Sequence, residues 1–167
     1  MLSIIIPVKN EEQIIESTLE KITKEINNID YEIVIIDDFS NDETENKIKA
    51  FLKNSKKIKF FKNKKKGLGP LIEYGVEVSE GEFVAIMMAD LSDDLEDLKK
   101  YYEIIENSDY DAVLGSRFLK NSKVIDYPKF KLFLNRLFNY FVKLIFISNY
   151  NDFTNAFKIY RRKTLLN

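Results

Sequence analysis

The sequence predicts an α/β domain built on a mostly parallel, doubly wound sheet flanked by helices. Three observations carry that expectation. Short apolar runs alternate with stretches of helical period five times along the 167 residues, without a long structureless gap. The runs are dense in Val, Ile and Phe, as strands buried on both faces are. Two of them end abruptly in acid. Phe83-Val-Ala-Ile-Met-Met-Ala-Asp90 continues into Leu91-Ser-Asp-Asp94, and Tyr31–Ile36 continues into Asp37-Asp38-Phe39-Ser40. In open α/β sheets the carboxyl ends of the strands border the crevice where ligands bind.

Each element follows from its pattern. Leu2–Val8 is a β-branched run and reads as a buried first strand. Asn10–Asn28 has helical period, with Ile14, Ile15, Thr18, Leu19, Ile22 and Ile26 on one side and Asn10 placed to cap it. Tyr31–Ile36 is the second strand, Asp42–Lys53 the second helix and Lys57–Phe61 the third strand. Lys62–Pro70 is a loop and Leu71–Val78 a helix. The run ending at Asp90 is the fourth strand, Asp94–Glu106 a helix and Asp111–Leu114 a short fifth strand. Gly115–Tyr127 is a loop, Pro128–Asn149 a long helix and Phe153–Tyr160 a last strand. With no internal repeat and no low-complexity linker, 167 residues make one domain.

Composition narrows the chemistry. The chain has no Cys and no His. That excludes disulfides, thiolate nucleophiles, an imidazole base and the usual zinc sites, so any metal is held by oxygen, which points to Mg²⁺ or Mn²⁺. The net charge of −1 hides an asymmetry. Residues 1–111 hold 15 Lys/Arg and 25 Asp/Glu, a net of −10, while residues 112–167 hold 11 and 2, a net of +9. The last third is a basic module expected to face something anionic. Met1 leads straight into the first strand, with no basic leader, and no run approaches the length that spans a bilayer.

Several constellations bear chemistry, each with a bland counterpart. Pro7–Glu12, Asp37–Ser40 and Asp90–Asp94 meet at one edge of such a sheet. Their acid calls for a compensating cation or hydrogen-bond donors unless each loop is simply solvated. Asp90 is a candidate metal ligand, with Ser92, Asp93 or Asp94 beside it. Asp93 and Asp94 read equally as helix caps. Lys62-Asn-Lys-Lys-Lys-Gly-Leu-Gly69 offers backbone amides at a helix start to a phosphate, or is a solvated lysine face. Arg117, after the fifth strand, is placed to fork onto a phosphate or to sit in a surface turn. On the long helix, Phe130, Phe133, Leu134, Leu137, Phe138, Phe141, Leu144 and Ile145 make one apolar face, and Lys129, Arg136 and Lys143 recur every seven residues on the other side. One face can bury on the sheet. The excess apolar surface and cation stripe suit a membrane interface, with a core helix or half of a dimer contact as alternatives.

Taken together, Ser3-Ile-Ile-Ile-Pro-Val-Lys-Asn-Glu11, Ile36-Asp-Asp-Phe-Ser40, Lys66-Gly-Leu-Gly69, Ala89-Asp-Leu-Ser92, Gly115-Ser-Arg-Phe118 and Asp152-Phe-Thr-Asn-Ala-Phe-Lys-Ile-Tyr-Arg-Arg162 resemble the family 2 glycosyltransferases of the GT-A, Rossmann-like fold. They most resemble the dolichol-phosphate mannosyltransferase and polyprenyl-phosphate glycosyltransferase branch. The resemblance implies transfer of a sugar, with inversion, from a UDP- or GDP-linked donor to a polyprenyl phosphate. Residues 1–114 would form the nucleotide-sugar half and 115–167 the basic acceptor- and membrane-facing part. Pro7, Asn10, Glu11, Asp37, Asp38, Lys66, Gly67 and Asp90 would bind the donor. Asp90, with Ser92 and Asp93, would hold Mg²⁺ or Mn²⁺. Arg117, Lys131, Asn135, Asp152 and Thr154 would meet the acceptor phosphate, with Asp90 and Arg117 as the catalytic pair. Partners would be the nucleotide-sugar, the lipid and the membrane surface through residues 128–149, with a homo-oligomer or membrane partner also open and no nucleic acid. The expected place is the cytoplasmic face of the membrane, in cell-envelope glycan or protein glycosylation.

The sequence departs from the family pattern in places. Met88 stands where the metal motif Asp-x-Asp has its first carboxylate. Phe39 replaces the Gly of Asp-Asp-Gly-Ser, and Asn155-Ala156 replaces a usual Gly. Relatives generally continue past the position of Asn167, so either the chain is C-terminally truncated or attachment rests on the 128–149 helix and partners. Two further readings follow. One is a family 2 transferase acting on a saccharide hydroxyl, with Asp93, Asp94 or Asp152 as base. The other is a catalytically weak nucleotide-binding homologue. A receiver-type signalling domain fits poorly, because the acid pair follows the second strand rather than the first.

Overall fold

The computed structural model describes residues 1–53, 55–119 and 128–166. The chain forms two compact units, Met1–Val113 with Phe157–Asn167, and Leu114–Ala156. The expected loop Gly115–Tyr127 lies, beyond Leu119, outside the described residues.

The sheet has six strands in the order β3-β2-β1-β4-β6-β5. These are β1 (Leu2–Val8), β2 (Tyr31–Asp37), β3 (Ile58–Lys62), β4 (Phe83–Ile86), β5 (Ala112–Leu114) and β6 (Lys158–Arg161). β1 pairs in parallel with β2 and β4, and β2 with β3, whereas β6 runs antiparallel to β4. The helices are α1 (Ile15–Glu25), α2 (Thr44–Leu52), α3 (Leu68–Val78), α4 (Leu95–Glu106), α5 (Lys129–Ile145) and α6 (Arg162–Leu165). This is the mixed, mostly parallel sheet that the alternation of runs predicts.

Both faces of the central strands are covered, which is why β1 and β2 are apolar without alternation. Leu2, Ile4, Ile6 and Val8 point into one cluster with Ile15, Leu19 and Ile22 of α1, Ile48 of α2 and Leu98 and Ile105 of α4. Ile5, Val34, Ile36 and Val84 meet Leu71 and Val76 of α3 on the other face. There the helix approaches so closely that a Cβ on Gly75 would stand 2.7 Å from Ile5 Cγ2.

Several boundaries move, most of them for a polar reason. The fourth strand stops at Ile86 instead of running to Asp90. Met87 N–H makes one more bond to Ile5 O, but Met88 N–H turns to the Asp93 carboxylate at 3.2 Å. Asn10 does not cap α1. Its backbone is left-handed (φ 56°) and its Oδ1 accepts from Asn41 N–H at 2.9 Å. The last strand begins at Lys158, not Phe153, because Asp152–Asn155 forms a turn closed by Asn155 N–H to Asp152 O. α5 ends at Ile145, short of Asn149.

Two cations of the basic tail are structural. Arg161 donates to the carbonyl of Ile105 in the last turn of α4 and to those of Ser108 and Tyr110 just beyond it, and pairs with Glu82. Arg162 donates to Val76 O and Glu77 O at the end of α3. Both neutralise unsatisfied carbonyls at helix ends, where positive charge is favoured.

Candidate functional site

In the first unit the three expected loops do come together at the carboxyl ends of β1, β2 and β4. The β1 and β2 loops are laced through their backbones. Asn10 N–H donates to Ser40 Oγ at 2.9 Å, Glu11 N–H to Thr44 Oγ1 at 2.8 Å and Glu12 N–H to Asp42 Oδ2 at 3.2 Å. Pro7 is buried inside β1, and Asp37 is buried at the end of β2 with its carboxylate accepting from Ser40 N–H. Asp38 Oδ1 accepts from Asn63 Nδ2 at 2.9 Å and from Gly67 N–H at 3.1 Å, while Lys9 pairs with Oδ2 at 3.4 Å. The loop between β3 and α3, which ends at Gly67 rather than Pro70 because the helix already begins at Leu68, is thereby anchored on the second acid of the Asp37-Asp38 pair. Gly67 takes φ 113°, which a side chain would strain. Lys66 is exposed, its Nζ 5.8 Å from the Phe39 ring centroid.

All three loops carry a non-glycine residue in the left-handed region: Asn10 (φ 56°), Phe39 (φ 61°) and Leu91 (φ 52°). Strain of this kind persists only where surrounding contacts over-determine it, and it gathers at functional sites. It also explains the resemblance's Gly at position 39. The backbone demands a left-handed residue there, and this chain meets the demand with Phe.

The carboxylates divide by role. Asp94 caps α4, accepting from Glu96 N–H at 2.8 Å, which is the bland reading of that residue. Asp93 accepts from Met88 N–H. Asp90 is exposed on the turn after β4, with Ser92 N–H on its Oδ1 at 3.0 Å. Burial first, then the charges of Asp90 and Asp42, push the Glu11 carboxyl above its ordinary value. For Asp38, burial works upward, but the hydrogen bonds from Asn63 and Gly67 and the Lys9 ammonium outweigh it and hold the carboxyl below the usual range.

Among the described residues no three Asp or Glu side chains gather into a metal-binding group. A hard divalent ion carried mainly by substrate phosphates needs only one or two carboxylates. Asp90 fits that demand: it is an exposed oxygen donor in an acidic environment, and a cation would relieve the repulsion Glu11 feels.

In the second unit the expected acceptor residues Arg117, Asn135, Asp152 and Thr154 form one hydrogen-bonded cluster. Asp152 is fully buried and takes the Arg117 fork, Nε to Oδ2 at 2.8 Å and Nη2 to Oδ1 at 2.7 Å, together with the Arg117 N–H. Arg117 Nη2 also reaches Thr154 Oγ1 at 3.0 Å, and Thr154 Oγ1 lies 3.0 Å from Asn135 Oδ1. Lys131 stands one turn before Asn135 on α5 and is exposed.

Sequence reasoning missed four participants. Lys9, Thr44 and Asn63 orient the loops around β1 and β2, and buried Asn139 donates to Asn135 and Thr154. Only Asn139 had a legible signal. Lys131, Asn135, Asn139 and Lys143 recur every four residues through an otherwise aromatic helix.

α5 differs from expectation in burial. Asn139 is its one buried residue, and the apolar face that was expected to be able to bury on the sheet is exposed, with Phe133 at 62%. No helix among the described residues is long and apolar enough to cross a membrane.

Comparison with known proteins follows the same lines. The profile described as Glycosyl transferase family 2 matches residues 3–166. A dolichol-phosphate mannosyltransferase of Pyrococcus furiosus is 32% identical over 136 residues, covering 81% of this chain and 38% of the relative. A dolichyl-phosphate beta-glucosyltransferase of Dictyostelium discoideum is 29% identical over 178 residues, covering 98% and 54%. The chain thus spans between about a third and about half of the length of these relatives. Among solved structures, glucosyl-3-phosphoglycerate synthase of Mycobacterium tuberculosis superposes with a TM-score of 0.73 at 16% identity, over 98% of this chain and 58% of that one. The same enzyme has been crystallised with Mn²⁺ and UDP-glucose. The fold is therefore that of these transferases.

Proposed function

The chain belongs to glycosyl transferase family 2, and from that premise we propose that it transfers a sugar from a UDP- or GDP-linked donor to a polyprenyl phosphate, inverting the anomeric centre. The observation that carries this choice of acceptor is the engagement of the carboxylates. A saccharide hydroxyl needs a positioned base. Asp93, Asp94 and Asp152 are the candidates for it, and each already accepts from a protein donor. A lipid phosphate oxygen is already anionic and needs no base, which suits a chain without His. The two dolichol-phosphate relatives support the same acceptor class.

The residues divide the work. The loops of Pro7, Asn10 and Glu11, and of Asp37 and Asp38, receive the base and ribose of the donor, with Lys66 and Gly67 bordering them. Asp90, seconded by Ser92 and Asp93, would hold Mg²⁺ or Mn²⁺, which supplies positive charge to the departing diphosphate. Arg117 and Lys131 orient the acceptor phosphate for in-line attack on the anomeric carbon. Asp152, Thr154 and Asn135 fix the guanidinium of Arg117, so its charge is presented in one direction. Because a prenyl chain resides in the bilayer, the protein works at the cytoplasmic membrane face, with residues 128–149 towards the lipid.

The test is incubation of the folded protein with labelled UDP- and GDP-sugars and undecaprenyl or dolichyl phosphate. A labelled lipid-linked sugar is expected. Label appearing only on added saccharides would transfer the reading to a hydroxyl acceptor. Nucleotide binding by calorimetry without any turnover would make the protein a weak homologue.

A further inference from the structure

α5 carries a second polar site beyond the acceptor cluster. Its ridge of Lys131, Asn135, Asn139 and Lys143 is shared between two places. In its first half, Asn135 belongs to the cluster around Arg117. The second half lines a cavity of about 270 Å³ with Phe118, Arg136 and Tyr140. The Arg136 guanidinium lies 5.2 Å from the Phe118 ring centroid, so an aromatic wall orients it. Among the described residues neither Arg136 nor Lys143 pairs with a carboxylate. Both are hydrogen-bond donors only, Asn139, Tyr140 and Asn151 complete a lining without a carboxylate, and the net positive charge of the cavity therefore favours an anion.

The surroundings say which anion. Lys129, Arg136 and Lys143 are not opposite the apolar face, contrary to the expectation from sequence: Lys129 and Arg136 stand four and three residues from Phe133, so the stripe flanks the exposed face, where Phe130, Phe133 and Phe141 are 75%, 62% and 60% exposed. The 17 residues of α5 hold four cations and no acid. A second copy seated on this face would set four cations against four. An anionic bilayer supplies both the apolar phase and the opposite charge.

We propose that α5 lies in the interface of an anionic bilayer and that the Arg136–Lys143 cavity takes the phosphate of a bilayer phospholipid, distinct from the acceptor phosphate at Arg117 and Lys131. This rests on the membrane placement given under the proposed function but not on sugar transfer itself. Asn139 touches both places, since it bonds Asn135 and Thr154 and lines the cavity. A seated phospholipid therefore holds the helix at the depth where the acceptor phosphate arrives.

The experiment is flotation of the whole chain with vesicles of phosphatidylcholine, alone or mixed with phosphatidylglycerol, with no donor or acceptor present. Binding is expected to the mixed vesicles only. Lys129→Gln removes one rim charge outside the cavity and is expected to weaken binding roughly fivefold, the ordinary worth of a cation near an anionic surface. Lys143→Gln removes the same charge inside the cavity and is expected to weaken it further. Equal losses overturn the phosphate site, and equal binding to neutral vesicles overturns the anionic surface. Self-association in vesicle-free buffer that Phe133→Ser abolishes gives the face to a second copy and overturns the proposal. A thermal shift by inorganic phosphate alone that requires Lys143 gives the cavity to free phosphate and overturns the lipid source. Transfer to a short-chain, water-soluble prenyl phosphate is assayed separately. Intact transfer without flotation removes this inference alone, and intact flotation without transfer removes the proposed reaction alone.

Discussion

In the first unit the loops at the ends of β1, β2 and β4 are held largely by backbone amides donating to side chains, as from Asn10 to Ser40, Glu11 to Thr44 and Gly67 to Asp38. In the second unit side chains hold side chains: Asp152 grips Arg117, which reaches Thr154, which meets Asn135. The first arrangement inherits its precision from a sheet whose register is set by apolar residues on both faces. The second has one buried carboxylate at its centre. A site of the first kind should tolerate loss of a single functional side chain without unfolding, and one of the second kind should not.

The largest expected effect tests the second half of that contrast. Asp152→Ala leaves the Arg117 guanidinium without its buried partner; because the Arg117 side chain is 29% exposed and water can take over part of the charge, the loss is roughly 2 to 3 kcal/mol, below that of a fully buried pair. Urea unfolding and limited proteolysis within residues 114–156 measure the loss. A variant as resistant as the parent would show that the cluster is not held by this pair.

The counterpart in the first unit is Asp90→Asn. Asp90 is exposed and bonds only the nearby Ser92 amide among the described contacts, so the urea midpoint should not move. The rate of sugar transfer should fall roughly 100-fold, as befits loss of several kcal/mol of charge stabilisation at the leaving group. Unchanged rates would take Asp90 out of the metal role. A joint loss of rate and stability would erase the distinction between the two units.

The same contrast decides what could be read from the sequence. β1, β2 and β4 were legible because an apolar run buried on both faces has few alternatives. Their carboxyl ends were legible as acid, but not where the strands stop: Met88 N–H leaves the ladder for a side chain, Asp93, that no periodicity encodes. Thr44 and Asn63 were invisible for the same reason, since each acts on a loop 25 to 33 residues away in sequence. Arg161 and Arg162 were read as part of a basic module facing an anion, whereas helix-end carbonyls are their partners. For α5 the pattern showed an apolar face but could not say what covers it, because periodicity fixes which side is apolar and not what lies opposite.

A smaller effect sharpens the account of strain in the first unit. Phe39 is half exposed and left-handed at φ 61°. Phe39→Gly removes a penalty of about 1 to 2 kcal/mol and adds back part of it as backbone entropy, for a net stabilisation of roughly 0.5 to 1 kcal/mol. Thermal unfolding measures it. A destabilised variant would mean that the Phe39 ring, beside Lys66, contributes more than its backbone costs.

The smallest effect exists over only part of the pH scale. Asp38 has a carboxyl held below its usual value, because the Asn63 and Gly67 donors and the Lys9 charge outweigh the effect of burial. The folded state therefore binds a proton at Asp38 less readily than the unfolded chain does. The resulting stability is present above the unfolded carboxylate's ordinary range and is lost as pH falls through that range and on through the depressed folded value. Asp38→Asn keeps the shape but removes the titration. Against the parent it should be less stable at neutral pH, and the gap should close as the solution is acidified. Paired urea titrations at neutral and acidic pH read that gap directly. A gap that stays constant with pH would mean that Asp38 anchors the Asn63–Gly67 loop by hydrogen-bond geometry alone, and that the backbone lacing of the first unit owes nothing to its charge.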